Sequence, residues 1–398
     1  MSESRVYLDH AATAPVLPEV IDVVAATMAT LGNPSSLHTS GRLARKVVEE
    51  SRESVAAALG ARPGEVIFTS GGTEADNLAV KGIYWARRAA DPRRVRVLAS
   101  AVEHHAVMDS LDWLAADQGA KVEWVPVDGT GRLDTAALRA TLAADPASVA
   151  LVTVMWANSE VGTLQPIGEV AAIAHEHGVP VHSDAVQAVG QVPVDFAESQ
   201  LDALTMSGHK IGGPVGSGVL LASRELDLVP VQHGGGQERD VRSGTLDAPS
   251  AAGLATALEA AVTDVRERAA EVAALRDELV DGVQAAVPDA VRNGAADRCL
   301  PGHAHFSFPG CEGDAMLLLL DAAGIDCSTG SACSAGVPQP SHVLLAMGVD
   351  PELARGSLRF TLGRTSTRAD VAALVDAIGP VAERARAAGL TNVDTRSR

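Results

Sequence analysis

Five short, almost wholly apolar segments at 66–69, 95–98, 122–125, 149–155 and 179–181 alternate with helical patterns at 74–90, 105–116, 134–144 and 168–177. Strands apolar on both sides must be covered on both sides, and a chain that returns through a helix after each strand lays the next one parallel. This alternation therefore predicts an α/β fold around a mostly parallel central sheet. Upstream, a strand at 6–8, a helix at 18–28 and an amphipathic helix at 40–59 closed by Gly60 are expected. Two further apolar segments, 201–206 and 219–222, flank a turn of small residues.

The pattern changes after residue 250. Leu254, Leu258, Val262, Val265, Val272, Leu275 and Leu279 recur at helical spacing behind Pro249-Ser250, predicting one long helix from 250 to about 287. Beyond it, strands near 305–308 and 357–362 mix with helices at 313–323 and 367–387. The expected division is a large domain at 16–250 and a smaller α+β domain formed by 1–15 with 251–398. A chain of 398 residues, 46% of them hydrophobic, can supply both cores. The net charge of −18, without a long basic run, argues against direct binding of nucleic acid. No apolar run is long enough for a bilayer and no charged-then-apolar leader pattern opens the chain, so a cytoplasmic protein with no membrane association is expected. The four cysteines form no CxxC pair and the twelve histidines show no HExxH spacing, so no metal site is expected.

In α/β sheets ligands collect where strands end, so residues just after each strand carry the chemical signal. Lys210, in Thr205–Gly218 (TMSGHKIGGPVGSG), is one of only four lysines against twenty-eight arginines. A lysine retained there suggests an amine that can lose its proton and form a Schiff base, although a plain loop lysine beside a hairpin would look the same. Ser70-Gly71-Gly72-Thr73 opens a helix and could receive a phosphate on its N–H groups, or serve only as a capping turn. His104 could stack on a planar ring and move protons, or cap a helix. Asp184 could hold a proton on a pyridine-type nitrogen, or be an N-cap. Lysine, aspartate, glycine-threonine turn and histidine are together the parts that a pyridoxal phosphate site requires.

The ordered motifs SGGTEADN, EHHAV, ANSEVGT, HSDAVQ, SGHKIGGPVGSG, GGGQERDVRSGT and TGSAC resemble the cysteine desulfurases of the class V aminotransferase family, over nearly the whole chain. The resemblance implies a fold-type I pyridoxal-phosphate transferase. Lys210 would be the Schiff-base lysine, Asp184 the partner of the pyridine nitrogen and His104 the stacking residue. Asn158 and Gln187 would contact the phenolic oxygen. Gly72, Thr73, Ser207 and His209 would hold the phosphate. Thr245 would reach the phosphate of the other subunit, which implies a homodimer. Asn33 and Arg359 would bind the substrate, with the guanidinium clamping its carboxylate. Cys333, in a loop of small residues, would be a mobile nucleophile that takes sulfur from L-cysteine as a persulfide and leaves L-alanine. Cys299, Cys311 and Cys327 read as structural.

The loop after Cys333 resembles the long-loop, cluster-assembly type of desulfurase. The implied acceptor is a protein, such as an iron–sulfur scaffold or a thiolation enzyme. A selenocysteine lyase, another class V aminotransferase or a noncatalytic sulfur-carrier scaffold are the alternatives. The chain departs from the usual pattern at Val215, where a basic residue is frequent, at Ser159, in place of a second asparagine, and at Asp240-Val241, in place of Gly-Leu.

Overall fold

The computed structural model describes residues 5–330 and 340–396. A short strand, β1 (Val6–Tyr7), precedes the helices Pro18–Met28 and Thr39–Ala58. Seven strands follow: β2 (Val66–Thr69), β3 (Arg96–Ser100), β4 (Lys121–Val125), β5 (Val149–Thr153), β6 (Val181–Asp184), β7 (Ala203–Ser207) and β8 (Gly218–Ala222). They form one sheet in the order β2-β8-β7-β6-β5-β3-β4. Only β8 runs against its neighbours, so the sheet is mostly parallel, as the alternation predicts.

Successive residues on each strand feed separate cores. Val66, Phe68, Leu98, Val152 and Leu221 pack on one side, with helices Thr39–Ala58 and Ile167–His175 supplying Val48, Val55, Val170 and Ile173. Ile67, Val97, Leu151 and Leu220 pack on the other, beneath Leu78, Ile83, Leu111 and Leu114 of helices Gly72–Ala90 and His105–Gln118. Each such side chain, withdrawn from water, contributes roughly 1.5–3 kcal/mol before entropy is counted. With both faces covered, the positions open to a ligand are at the strand ends. The order reverses around β3 and β5, the place in such sheets where a crevice opens.

The remaining strands are β9 (Val291–Asn293), β10 (His303–Ser307), β11 (Ile325–Asp326) and β12 (Ser357–Thr361). The antiparallel sheet β12-β10-β9 surrounds its own core of Phe306, Phe308, Leu358 and Phe360. β1 lies parallel to β11, and Asp9 bridges to Thr361, so the N-terminal strand leads from this second sheet directly to residues 11 and 12.

The single long helix expected from 250 is two helices, Ala248–Val262 and Val265–Ala286. Between them Asp264 adopts φ 53°, ψ 27°. Apolar spacing runs through the break unchanged, so periodicity alone does not reveal it. The reason for the break is packing: Leu254 and Leu258 belong to the core of the central sheet, whereas Val272, Leu279 and Val283 belong to that of the β10 sheet. A left-handed residue disfavours branching at Cβ. Replacing Asp264 by Val should therefore lower unfolding free energy by about 1–2 kcal/mol, and Asp264→Gly should be neutral or stabilising, as read by urea denaturation.

Candidate active site

The strand ends meet at a cavity of about 320 Å³. Gly72 and Thr73 reach it from the turn after β2, His104 from the segment after β3, and Asp184 and Gln187 from the end of β6. Ser207, His209 and Lys210 arrive from the end of β7, and Arg359 from β12 of the other sheet. Ala11 and Ala12 close it.

The Lys210 amine donates to the carbonyls of Ala11 (2.6 Å) and Ala12 (2.9 Å). Burial, reinforced by the nearby Arg359 guanidinium, lowers its pKa to about 8, against the opposing pull of Asp184 and Asp9. The capping reading holds for His104 and not for Asp184, after which no helix begins among the described residues. His104 caps helix His105–Gln118 by accepting from the Ala106 N–H at 3.1 Å through Nδ1, yet its ring lines the cavity. A nitrogen that accepts there is unprotonated, and burial pushes the histidine pKa down. Asp184 accepts from the Val186 N–H at 2.9 Å and also faces the cavity, where burial raises its pKa.

Three acids that the sequence reading passed over share this cavity. Asp76, Glu103 and Glu160 are buried, and burial raises the pKa of each. Among the described residues, Asp76 and Glu103 each leave one carboxylate oxygen buried without a hydrogen-bond partner. His182 bonds Thr153 (2.9 Å) and Thr205 (3.0 Å) and stands 3.6 Å from Asp76. Asp76, Glu103 and Glu160 lie inside the quoted motifs SGGTEADN, EHHAV and ANSEVGT, so their positions were visible and their burial was not. His342, whose ring meets that of His105 edge-on at 5.3 Å, carries no sequence signal at all.

Arg359 is held by two bonds, from Nη1 to the Ser159 carbonyl and from Nη2 to Asp9, each 2.8 Å. Among the described residues its buried Nε has no partner. Gln187 donates to the Ala11 carbonyl, the same oxygen that receives Lys210. Asn158 is fully buried beside the cavity with its side chain committed to backbone: it donates to the Val102 carbonyl and accepts from the Glu160 and Val161 N–H groups. Asn158 does not line the cavity, and two more of the expected residues stand farther from it. Asn33 is exposed between the first two helices, and Thr245, also exposed, lines a separate recess with Thr69 and Ser70. Cys333 lies outside the described residues. Cys327 is buried, which pushes its thiol up to about 12, as suits a structural cysteine.

Helix Gly72–Ala90 begins at the cavity with no side chain capping it, leaving its first N–H groups for a phosphate. A side chain at Gly72 would meet Val186 at 2.9 Å, so the turn can come this close to β6 only as glycine. An open helix start, a low-pKa amine and a buried aspartate thus fit a phosphorylated pyridine aldehyde. The family model for class-V aminotransferases matches residues 6–374. The chain belongs to the class-V aminotransferase family. It is 58% identical over 385 residues to an IscS-like cysteine desulfurase of Mycobacterium tuberculosis, covering 96% of this chain and 98% of that protein. It is 41% identical over 383 residues to the cysteine desulfurase NifS of Azotobacter vinelandii, covering 96% and 93%. A solved NifS-like protein superposes with a TM-score of 0.88 at 34% identity, over 95% of this chain and 99% of that one.

Pyridoxal phosphate is the cofactor of this class-V chain. Among the cavity residues, Gly72, Thr73, Ser207 and His209 would hold its phosphate, Asp184 its ring nitrogen and Lys210 its aldehyde carbon. With a pKa of about 8, roughly a tenth of the Lys210 amine is neutral at pH 7, and the neutral fraction grows as pH rises. Reductive methylation of cofactor-free protein, followed by peptide mass spectrometry, should give Lys210 a modification midpoint near pH 8. A midpoint above 10 would contradict this environment.

Proposed function

We propose that the chain is a pyridoxal-phosphate-dependent cysteine desulfurase that releases sulfur from L-cysteine through Lys210, His104, Asp184, Arg359 and Cys333. The observation that carries this reading is the buried Lys210 amine facing Asp184 and His104 across one cavity, with Arg359 at its edge. The cofactor supplies an electrophilic carbon and a sink for the electrons released at the substrate Cα. The chain supplies the rest. Arg359 receives the substrate carboxylate on a guanidinium already aimed by Ser159 and Asp9. The neutral Lys210 amine takes the proton from Cα, and His104, which lines the same cavity, relays protons towards the sulfur side. Asp184 holds the proton on the ring nitrogen.

The Cys333 thiolate then bonds to the substrate sulfur as the C–S bond breaks. The bonding pair stays with the carbon, which is protonated and leaves as L-alanine, and the sulfur remains on Cys333 as a persulfide. The next recipient is a protein, an iron–sulfur scaffold or a thiolation enzyme, in the cytoplasm. Among the described residues no helix is long and apolar enough to cross a membrane.

The working form is a homodimer. Ile21, Met28, Leu31, Leu37 and Leu43 are exposed to between 56% and 89% along the first two helices and the loop that carries Asn33. Apolar exposure on that scale is characteristic of a contact surface. Thr245 and Asn33, outside their own cavity, become useful when a second subunit is present. Light scattering should return twice the 40.8 kDa of one chain, and a monomer would remove this part of the reading.

Cys333→Ser is the decisive variant. It should keep the visible absorbance of bound cofactor while alanine and persulfide formation from L-cysteine fall about hundredfold or more, a loss of ~2.7 kcal/mol of barrier lowering. Full sulfur release from Cys333→Ser, or cofactor absorbance unchanged in Lys210→Ala, would overturn the assignment.

A further inference from the structure

Residues 232–245 form an excursion after β8 that carries three consecutive non-glycine residues in the left-handed region: Glu238 at φ 45°, Arg239 at 64° and Asp240 at 63°. Single residues visit that region, but successive ones with side chains persist only where the surroundings impose them. Here the imposing group is the Glu238 carboxylate, whose side chain is 1% exposed. It accepts Arg52 Nη2 at 2.6 Å and Nη1 at 2.9 Å, a two-pronged pair, and also the Phe68 N–H at 2.7 Å. Arg52 further donates to the Val66 carbonyl at 2.7 Å, and its guanidinium lies 5.0 Å from the centre of the Phe68 ring.

The grip therefore falls on Val66 and Phe68 of β2, the strand that delivers Ser70-Gly71-Gly72-Thr73. A second tie from the same excursion reaches that turn itself. Arg242 pairs with Glu74 at 2.7 Å, and Glu74 accepts the Ser70 N–H at 2.7 Å. Gln237 accepts the Gly244 N–H at 2.9 Å, linking the strained residues to the stretch that ends at Thr245.

We propose that Glu238, through Arg52 and the Phe68 N–H, is a positioning residue that sets the phosphate-binding turn at 70–73 against the 242–245 stretch, and so governs how tightly the phosphate of the cofactor is held. The inference rests on reading the cavity as a pyridoxal phosphate site. Glu238 touches neither the cavity nor the reacting atoms, and its effect travels through β2 and the Arg242–Glu74 pair. A buried carboxylate with three donors loses its charge-assisted bonds when it becomes an amide.

In the test, protein stripped of cofactor is titrated with pyridoxal phosphate, following tryptophan fluorescence and the visible band, beside a thermal melt of the same sample. Glu238→Gln should raise the dissociation constant about tenfold or more at a temperature where circular dichroism shows the chain folded. Arg52→Lys keeps the charge and loses the two-pronged grip, so it should weaken binding by a smaller factor in the same direction. It also serves the test should Glu238→Gln fail to fold. Pyridoxal, which lacks the phosphate, should bind parent and variants alike. Unchanged pyridoxal phosphate affinity with a lowered melting temperature would assign Glu238 to stability alone and overturn the proposal. Equal losses for pyridoxal and pyridoxal phosphate would overturn the phosphate-specific role. A parent chain that takes up no pyridoxal phosphate would overturn the reading of the cavity itself, and the inference with it.

Discussion

Covering a parallel sheet on both faces is the constraint on which the rest of this structure depends. Alternate residues of β3, β5 and β8 feed two different apolar cores, so the groups that a ligand can reach stand at the strand ends. The turn after β2, the segment after β3 and the ends of β6 and β7 thereby converge, although Thr73 and Lys210 stand far apart along the chain. The convergence of these groups is here a by-product of hydrophobic coverage.

The cavity that results gathers a lysine, an arginine and several acids under conditions that disfavour charge. The Lys210 pKa falls towards neutrality, while those of Asp76, Glu103, Glu160 and Asp184 rise. Lys210 is kept in place by two carbonyls rather than by a carboxylate, which spares the amine from being locked as an ammonium. Those carbonyls belong to Ala11 and Ala12, just beyond β1, which pairs with β11, and Asp9, which bridges to Thr361 of the second sheet. Arg359 likewise arrives from that sheet, through β12. The N-terminal strand and the C-terminal third of the chain thus complete a site whose floor is built by the central sheet.

Much of this was legible beforehand. Strand-helix alternation is a local pattern, and it yields the parallel sheet because coverage and crossover direction follow from it without knowledge of distant contacts. Lys210, Asp184, His104 and the glycine-threonine turn were legible because each follows an apolar strand. The break at Asp264 was not, since the apolar period continues through it and only the existence of two separate cores explains it. Nor was the buried state of Asp76, Glu103 and Glu160, because acids in a helical or turn context look the same whether solvated or enclosed. His104 shows why competing local readings need not exclude one another: the bond that caps its helix uses one ring nitrogen and leaves the rest of the ring at the cavity.

The sequence by itself determined the fold class, the family and the types of group available for chemistry, because those depend on residue identity, local order and spacing along the chain. Tertiary structure alone decided which of them meet, which are buried and therefore shifted in pKa, and which are held aside. Asn33 and Thr245 lie outside the cavity that their motifs suggest, while Ala11 and Ala12, with no functional side chain, hold its central amine by their carbonyls. The physical reason is that desolvation and hydrogen bonding act through space, and neither leaves a trace in the spacing of residues along a chain.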